Sequence, residues 1–158
     1  MRNVVVFFSY SGNSRRTAEH LAGVLEADLI EIVERKPRRR SVSGYWRGIF
    51  DSGFRRKPEI LPTRSILPDE RVILCAPIWV GRLCGPVRTW LSEQQSRITA
   101  LVWVPHSGFL TAWPRAIEEI AAFIGHRPDA MMGIGARDVY SGNAEIKAAE
   151  FAARLRKI

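Results

Sequence analysis

Five short and almost uninterrupted apolar runs, at residues 4–8, 29–33, 72–75, 100–104 and 130–134, alternate with stretches in which apolar residues recur every three or four positions. Each run is short for a helix and is apolar at successive positions, which is how a strand buried on both faces reads. The intervening stretches give four helical faces. They are Ala18, Leu21, Ala22 and Leu25; Val87, Trp90 and Leu91; Trp113, Ala116, Ile117, Ile120 and Ile124; and Ala148, Phe151, Ala152 and Leu155. Strands that alternate with helices pair in parallel, and right-handed crossovers lay the helices on both sides of the sheet. The pattern predicts an α/β fold in three layers, with a doubly wound five-stranded parallel sheet. At 158 residues and 46% apolar, the chain reads as a single domain, residues 1–158, with room for a real core.

Ligands of such sheets bind beyond the carboxyl ends of the strands, where the strand order reverses. For the order 2-1-3-4-5 that crevice lies between the first and third strands, so the loops after residues 8, 75 and 104 should meet there. The first loop reads Ser9, Tyr10, Ser11, Gly12, Asn13, Ser14 and leads straight into an amphipathic stretch. Hydroxyls at three of these positions and several backbone N–H groups can converge on one anion at the positive end of a helix dipole. The loop ends Asn-Ser-Arg, without the Gly-Lys-Ser/Thr of a triphosphate loop, and it lacks the Gly-x-Gly-x-x-Gly of a dinucleotide site. A site for a single terminal phosphate remains, against the plainer reading of an ordinary helix-capping turn. The related run Tyr140, Ser141, Gly142, Asn143 follows no strand and is read as a helix cap only.

The second loop carries Ala76, Pro77, Ile78, Trp79, Val80, Gly81 and Arg82, and Cys84 follows it. An indole at a loop tip can cover a planar ring, and it can equally be a core residue. The third loop reads Pro105, His106, Ser107, Gly108, Phe109. At the ordinary histidine pKa near 6.5, His106 could donate a proton close to neutrality; the alternative is a surface histidine without a role.

The formal net charge of +8 sits entirely between residues 35 and 64, where ten basic side chains, Arg38, Arg39 and Arg40 among them, face two acidic ones. This segment is broken by prolines and glycines, and only residues 45–50 support a turn or two of helix. Tyr45, Trp46, Ile49, Phe50 and Phe54 fall on one side of it, which predicts an aromatic face packed on the sheet with arginines in solvent. The charge is either a solvated face or a means of selecting an anionic partner: a 2'-phosphate, an acidic protein or an anionic membrane surface. Nucleic acid is not expected, because no recognition fold accompanies the charge. No apolar run approaches the roughly 18 residues of a membrane span, and the chain enters a strand at once without a signal peptide, so a cytoplasmic protein is expected. Cys75 reads as core and Cys84 as an exposed loop thiol; no metal-ligand spacing is present, and no metal is expected.

The succession strand, Ser-x-Ser-Gly-Asn-Ser, Ala-Pro-Ile-Trp-x-Gly, then x-Pro-Val-Arg-x-Trp-Leu, then strand and Ser-Gly, resembles the flavodoxin-like family over nearly the whole chain. The resemblance implies bound FMN, with Ser9, Tyr10, Ser11, Gly12, Asn13 and Ser14 around the phosphate. It implies that Pro77, Ile78, Trp79, Val80, Gly81 and Arg82 lie along the ring and that Ser107 and Gly108 approach its pyrimidine edge. Flavodoxins that carry electrons are usually acidic around the flavin, whereas Arg82 and the basic segment would favour an anionic reduced ring here. Two functions follow: an FMN-dependent reductase working between a nicotinamide or redox partner and a quinone-like acceptor, or a non-enzymatic basic electron carrier serving an acidic redox protein. An oligomer is compatible with either, and a fold that has lost its cofactor is the weakest reading.

Overall fold

The computed structural model describes residues 1–37, 41–108 and 113–157. Arg38, Arg39 and Arg40, the densest part of the basic segment, and Phe109 lie outside the described residues.

In chain order the strands are β1 (Arg2–Phe7), β2 (Asp28–Glu31), β3 (Glu70–Trp79), β4 (Arg82–Leu83), β5 (Leu101–Ser107), β6 (Ala130–Met131) and β7 (Ile134–Gly135). The helices are α1 (Asn13–Leu25), α2 (Val42–Gly53), α3 (Gly85–Gln94), α4 (Pro114–Ile124), α5 (Ala136–Ser141) and α6 (Asn143–Leu155). The main sheet runs β2-β1-β3-β5-β6, all parallel, with β7 continuing along β5 and β4 folding back on β3 as a hairpin. With the small β4 set aside this is the order expected for five runs. The fifth run is a broken strand, because Met132 and Gly133 interrupt it. A Cβ at Gly133 would come within 2.3 Å of the Trp113 ring, so the indole occupies the side-chain space beside the break.

Successive strand residues point to opposite faces. Val4, Val6, Val72, Leu74, Leu101 and Trp103 pack with Val87, Trp90, Leu91, Ala116 and Ile120 of α3 and α4. Val5, Phe7, Ile73, Cys75, Val102 and Val104 pack with Ala18, Leu21, Ala148, Phe151 and Leu155 of α1 and α6. Two apolar layers thus flank one sheet, and burying each large aliphatic side chain contributes about 1.5–3 kcal/mol. The repeated Tyr-Ser-Gly-Asn run does end one helix and begin another: Gly142, at φ 76°, joins α5 to α6.

Two expectations are corrected. Cys84 is buried like Cys75, at the residue that opens α3, and neither forms a disulfide. Helix α2 spans 12 residues, longer than the one or two turns its glycines suggested, and it begins where the Ser41 hydroxyl accepts from the Gly44 N–H at 3.4 Å. Its orientation is also reversed. The buried residues are Gly44, Gly48, Asp51 and Ser52, while Tyr45, Trp46, Phe50 and, just past the helix, Phe54 are exposed. The physical reason lies in α3, where the buried Arg88 donates to the Asp51 and Ser52 carbonyls at 3.1 and 3.0 Å and to Glu119 of α4 at 2.8 Å. A guanidinium satisfied this way needs the carbonyl end of α2 turned inward, and small residues let the helix approach.

Candidate functional site

Between β1 and α1 the chain turns through Gly12, whose φ of 104° is a left-handed conformation that glycine adopts without a Cβ penalty. The Gly12 N–H donates to Ser9 Oγ at 3.1 Å and closes the loop. No side chain caps α1. The first-turn N–H groups of a helix have no partner within it, so here they and the positive dipole end face outward together. Ser14 is buried in that first turn, while Ser11 and Asn13 are exposed. Arg15 and Arg16, next along the helix, are paired with Glu31 and Glu145. The result is an anion cradle made of amides and hydroxyls.

A cavity of about 480 Å³ opens over this cradle, within the usual range of small-molecule sites. Tyr10, Ser11, Asn13 and Ser14 line one end. Pro77, Ile78, Trp79, Val80 and Gly81 come from the end of β3 and its hairpin, and His106, Ser107 and Gly108 from the end of β5. The three loops expected to meet do meet. Ser9 and Gly12 shape the loop from behind the wall.

The hairpin holds its tip firmly. Ile78 pairs with Leu83 and Trp79 with Arg82, leaving Val80 and Gly81 as a two-residue turn with φ of 55° and 69°. Two left-handed residues in a row match the twist of a tight hairpin. A β-branched residue there is strained by roughly 1–3 kcal/mol, so Val80 is set by its neighbours and not by its own preference. The Trp79 indole meets Phe8 and Tyr10 edge-on, with centroids 6.1 and 5.9 Å away. Helix α2 backs it at Gly48, where a Cβ would come within 2.9 Å of the ring. Trp79 is thus a fixed wall with one side on the cavity.

His106 is buried and not a surface-loop residue. Its Nε2 shares a 2.9 Å hydrogen bond with Thr17 Oγ1, and among the described residues no group completes a hydrogen bond to its Nδ1. Burial pulls its pKa down to about 4, against a weaker opposing pull from the Val104 backbone. That shift favours the neutral ring and weighs against proton donation near neutrality.

Arg82 also departs from expectation. It lies in β4, does not line the cavity, and donates to Glu119 at 2.9 Å. Glu119 receives Arg88 as well, so both guanidinium groups are held against α4. Among the described residues the lining includes no Asp, Glu, Lys or Arg, and His106 is its one titratable imidazole.

Six lining residues were not anticipated: Tyr45 and Ile49 from α2, and Ile134, Gly135, Ala136 and Val139 around β7 and α5. The carboxyl-end rule could have found the second group, since β7 ends at the same edge of the sheet. No local signal marks Tyr45 and Ile49, because periodicity gives the face of a helix but not its direction.

No protein-family model matches the chain, and no curated protein matches it. Solved structures do. A candidate flavoprotein from Bacteroides uniformis superposes with a TM-score of 0.75 at 16% identity, covering 99% of this chain and 98% of its own. A flavoprotein from Lactobacillus acidophilus, in complex with FMN, gives a TM-score of 0.67 at 15% identity, with 90% and 97% covered. General stress protein 14 from Treponema denticola, also in complex with FMN, gives 0.52 at 9%, with 99% of each chain covered. At these identities the likeness speaks to architecture, and together with the strand order it establishes that this chain has the doubly wound, flavodoxin-like fold of those proteins.

Proposed function

We propose that the chain binds FMN in this cavity and acts as a reductase, passing hydride or electrons from a nicotinamide or a redox partner to a quinone-like acceptor. One observation carries the reading: among the described residues, the cavity runs from a helix N-terminus without a side-chain cap to a wall of aromatic and apolar side chains. A phosphomonoester fits the polar end, where backbone N–H groups and the Ser11 and Ser14 hydroxyls supply donors without a lysine. A planar ring fits the other end, along residues 77–81 and beside Ser107 and Gly108. When bound, FMN supplies the hydride and one-electron chemistry. The chain's own contribution is position and environment: Trp79, Tyr45 and Val80 keep water from a ring, and His106 offers a neutral imidazole. Among the described residues no carboxylate lines the cavity, unlike the acidic surround of an electron carrier.

The test is titration of the purified chain with FMN, followed in the visible spectrum and by tryptophan fluorescence. Saturable quenching is expected, and Trp79→Leu should lose most of it while staying folded; absence of both signals would overturn the reading. The basic segment favours the alternative, a carrier docking on an acidic redox protein. Steady oxidation of NAD(P)H with a soluble quinone supports the reductase, and reduction only by the protein partner supports the carrier.

A further inference from the structure

Helix α2 is amphipathic in the reverse of the usual sense for a surface helix. Its inward face is Gly44, Gly48, Asp51 and Ser52, held by the Arg88 guanidinium. Its outward face, with the residue after the helix, is Val42, Trp46, Phe50 and Phe54, which are 74%, 53%, 53% and 69% exposed. Phe50 and Phe54 stack at 6.1 Å, and Tyr45 meets Trp46 edge-on at 6.3 Å, two ring pairs on successive turns of one exposed face. Large exposed apolar patches are rare on monomeric proteins and mark interaction sites.

The surrounding charge says what covers it. Arg35, Lys36, Arg47, Arg55, Arg56 and Lys57 are all exposed. Among the described residues Asp51 faces both Arg47 and Arg56 at 3.8 and 3.9 Å, Glu119 receives Arg55 at 3.9 Å as well as Arg82 and Arg88, and Arg35 meets the exposed Glu59 at 3.4 Å. Positive charge around tryptophan, tyrosine and phenylalanine is the composition of a helix that lies in the headgroup layer of an anionic bilayer. Among the described residues no helix is long and apolar enough to cross a membrane, so the geometry is one of lying on the surface.

We propose that α2 and the residues following it dock the protein on anionic phospholipid bilayers, with Trp46, Phe50 and Phe54 entering the interface and the basic side chains meeting lipid phosphates. Tyr45 and Ile49 of the same helix line the cavity, so docking sets the cavity beside the bilayer. This inference does not depend on FMN.

The experiment is co-sedimentation of the full chain with phosphatidylcholine vesicles containing phosphatidylglycerol, and with phosphatidylcholine alone, at low and high salt. Binding to the anionic vesicles with a blue shift of tryptophan emission is expected, weakened about tenfold or more by salt or by omitting the anionic lipid. Trp46→Ser combined with Phe50→Ser should lower partition about tenfold or more with an unchanged thermal midpoint. Phe54→Ser alone, outside the helix, serves if the double variant folds poorly. Equal binding to both vesicles, no binding to either, or parent-like binding by the folded variants overturns the proposal. Self-association, or capture by polyglutamate through the same residues without vesicle binding, also overturns it and assigns the face to a protein partner.

Discussion

Ser14 is buried at the first turn of α1 while Ser11 stands in the open loop, yet both line the same cavity, where the proposed function puts a phosphate. Charge-assisted hydrogen bonds are worth roughly 1.5–3 kcal/mol each, so Ser11→Ala and Ser14→Ala should each weaken FMN binding by about tenfold or more. Calorimetric titration checks this, and an unchanged affinity in the double variant removes the phosphate assignment. Val80 offers a prediction of opposite sign. Its left-handed backbone is strained, so Val80→Gly should stabilise the chain by about 1 kcal/mol and raise the thermal midpoint a few degrees. The hydroxyl loop was legible in the sequence because its residues are contiguous. The capture of Arg82 was not, because its partner Glu119 is brought to it by a different helix.

Among the elements, the five strands and four of the helices could be read directly, since a buried parallel strand and a half-buried helix each leave a periodic trace. Helix α2 could not, because the pattern groups Tyr45, Trp46 and Phe50 on one side without saying which side is inward. What decides the matter is a buried cation that must find carbonyls. Arg88→Met should therefore act on two helices at once. Glu119 keeps Arg82, but the buried Asp51 and Ser52 carbonyls at the end of α2 lose their donor, at a cost of roughly 1–3 kcal/mol each. Limited trypsin digestion should then cut faster at Arg55 and Arg56 than in the parent, and parent-like resistance would count against the latch.

For the molecule as a whole, acid should act in two stages. The His106 pKa is about 4 in the fold against 6.5 when unfolded, so the unfolded chain takes up this proton first. Stability falls as pH drops from about 6.5 toward 4, by roughly 3 kcal/mol in all. Glu70 governs the second stage. Hydrogen bonds from Arg64 at 2.8 and 2.9 Å hold its carboxyl below the usual range, against the opposing effect of burial, so its contribution is complete above the unfolded value and disappears as pH falls through the folded one. Urea unfolding from pH 7 to 3 should show both stages, with His106→Asn removing the first and Glu70→Gln weakening the second, to which Asp138, also held below its usual range, contributes. Both were hidden from sequence reasoning, since burial of a strand-end histidine and the long reach of Arg64 are consequences of assembly. The break at Gly133 has an effect at the same scale. On one margin β6 and β7 are two residues each, parted by Met132 and Gly133, so no long straight row of amides runs there among the described residues. On the other, Arg35 and Leu61 bond across to Glu59 and Val33, covering the chain beyond β2. Neither border presents a long flat template for another copy's backbone, so the sheet is guarded against strand-by-strand aggregation even as the chain keeps a row of aromatic rings on its surface.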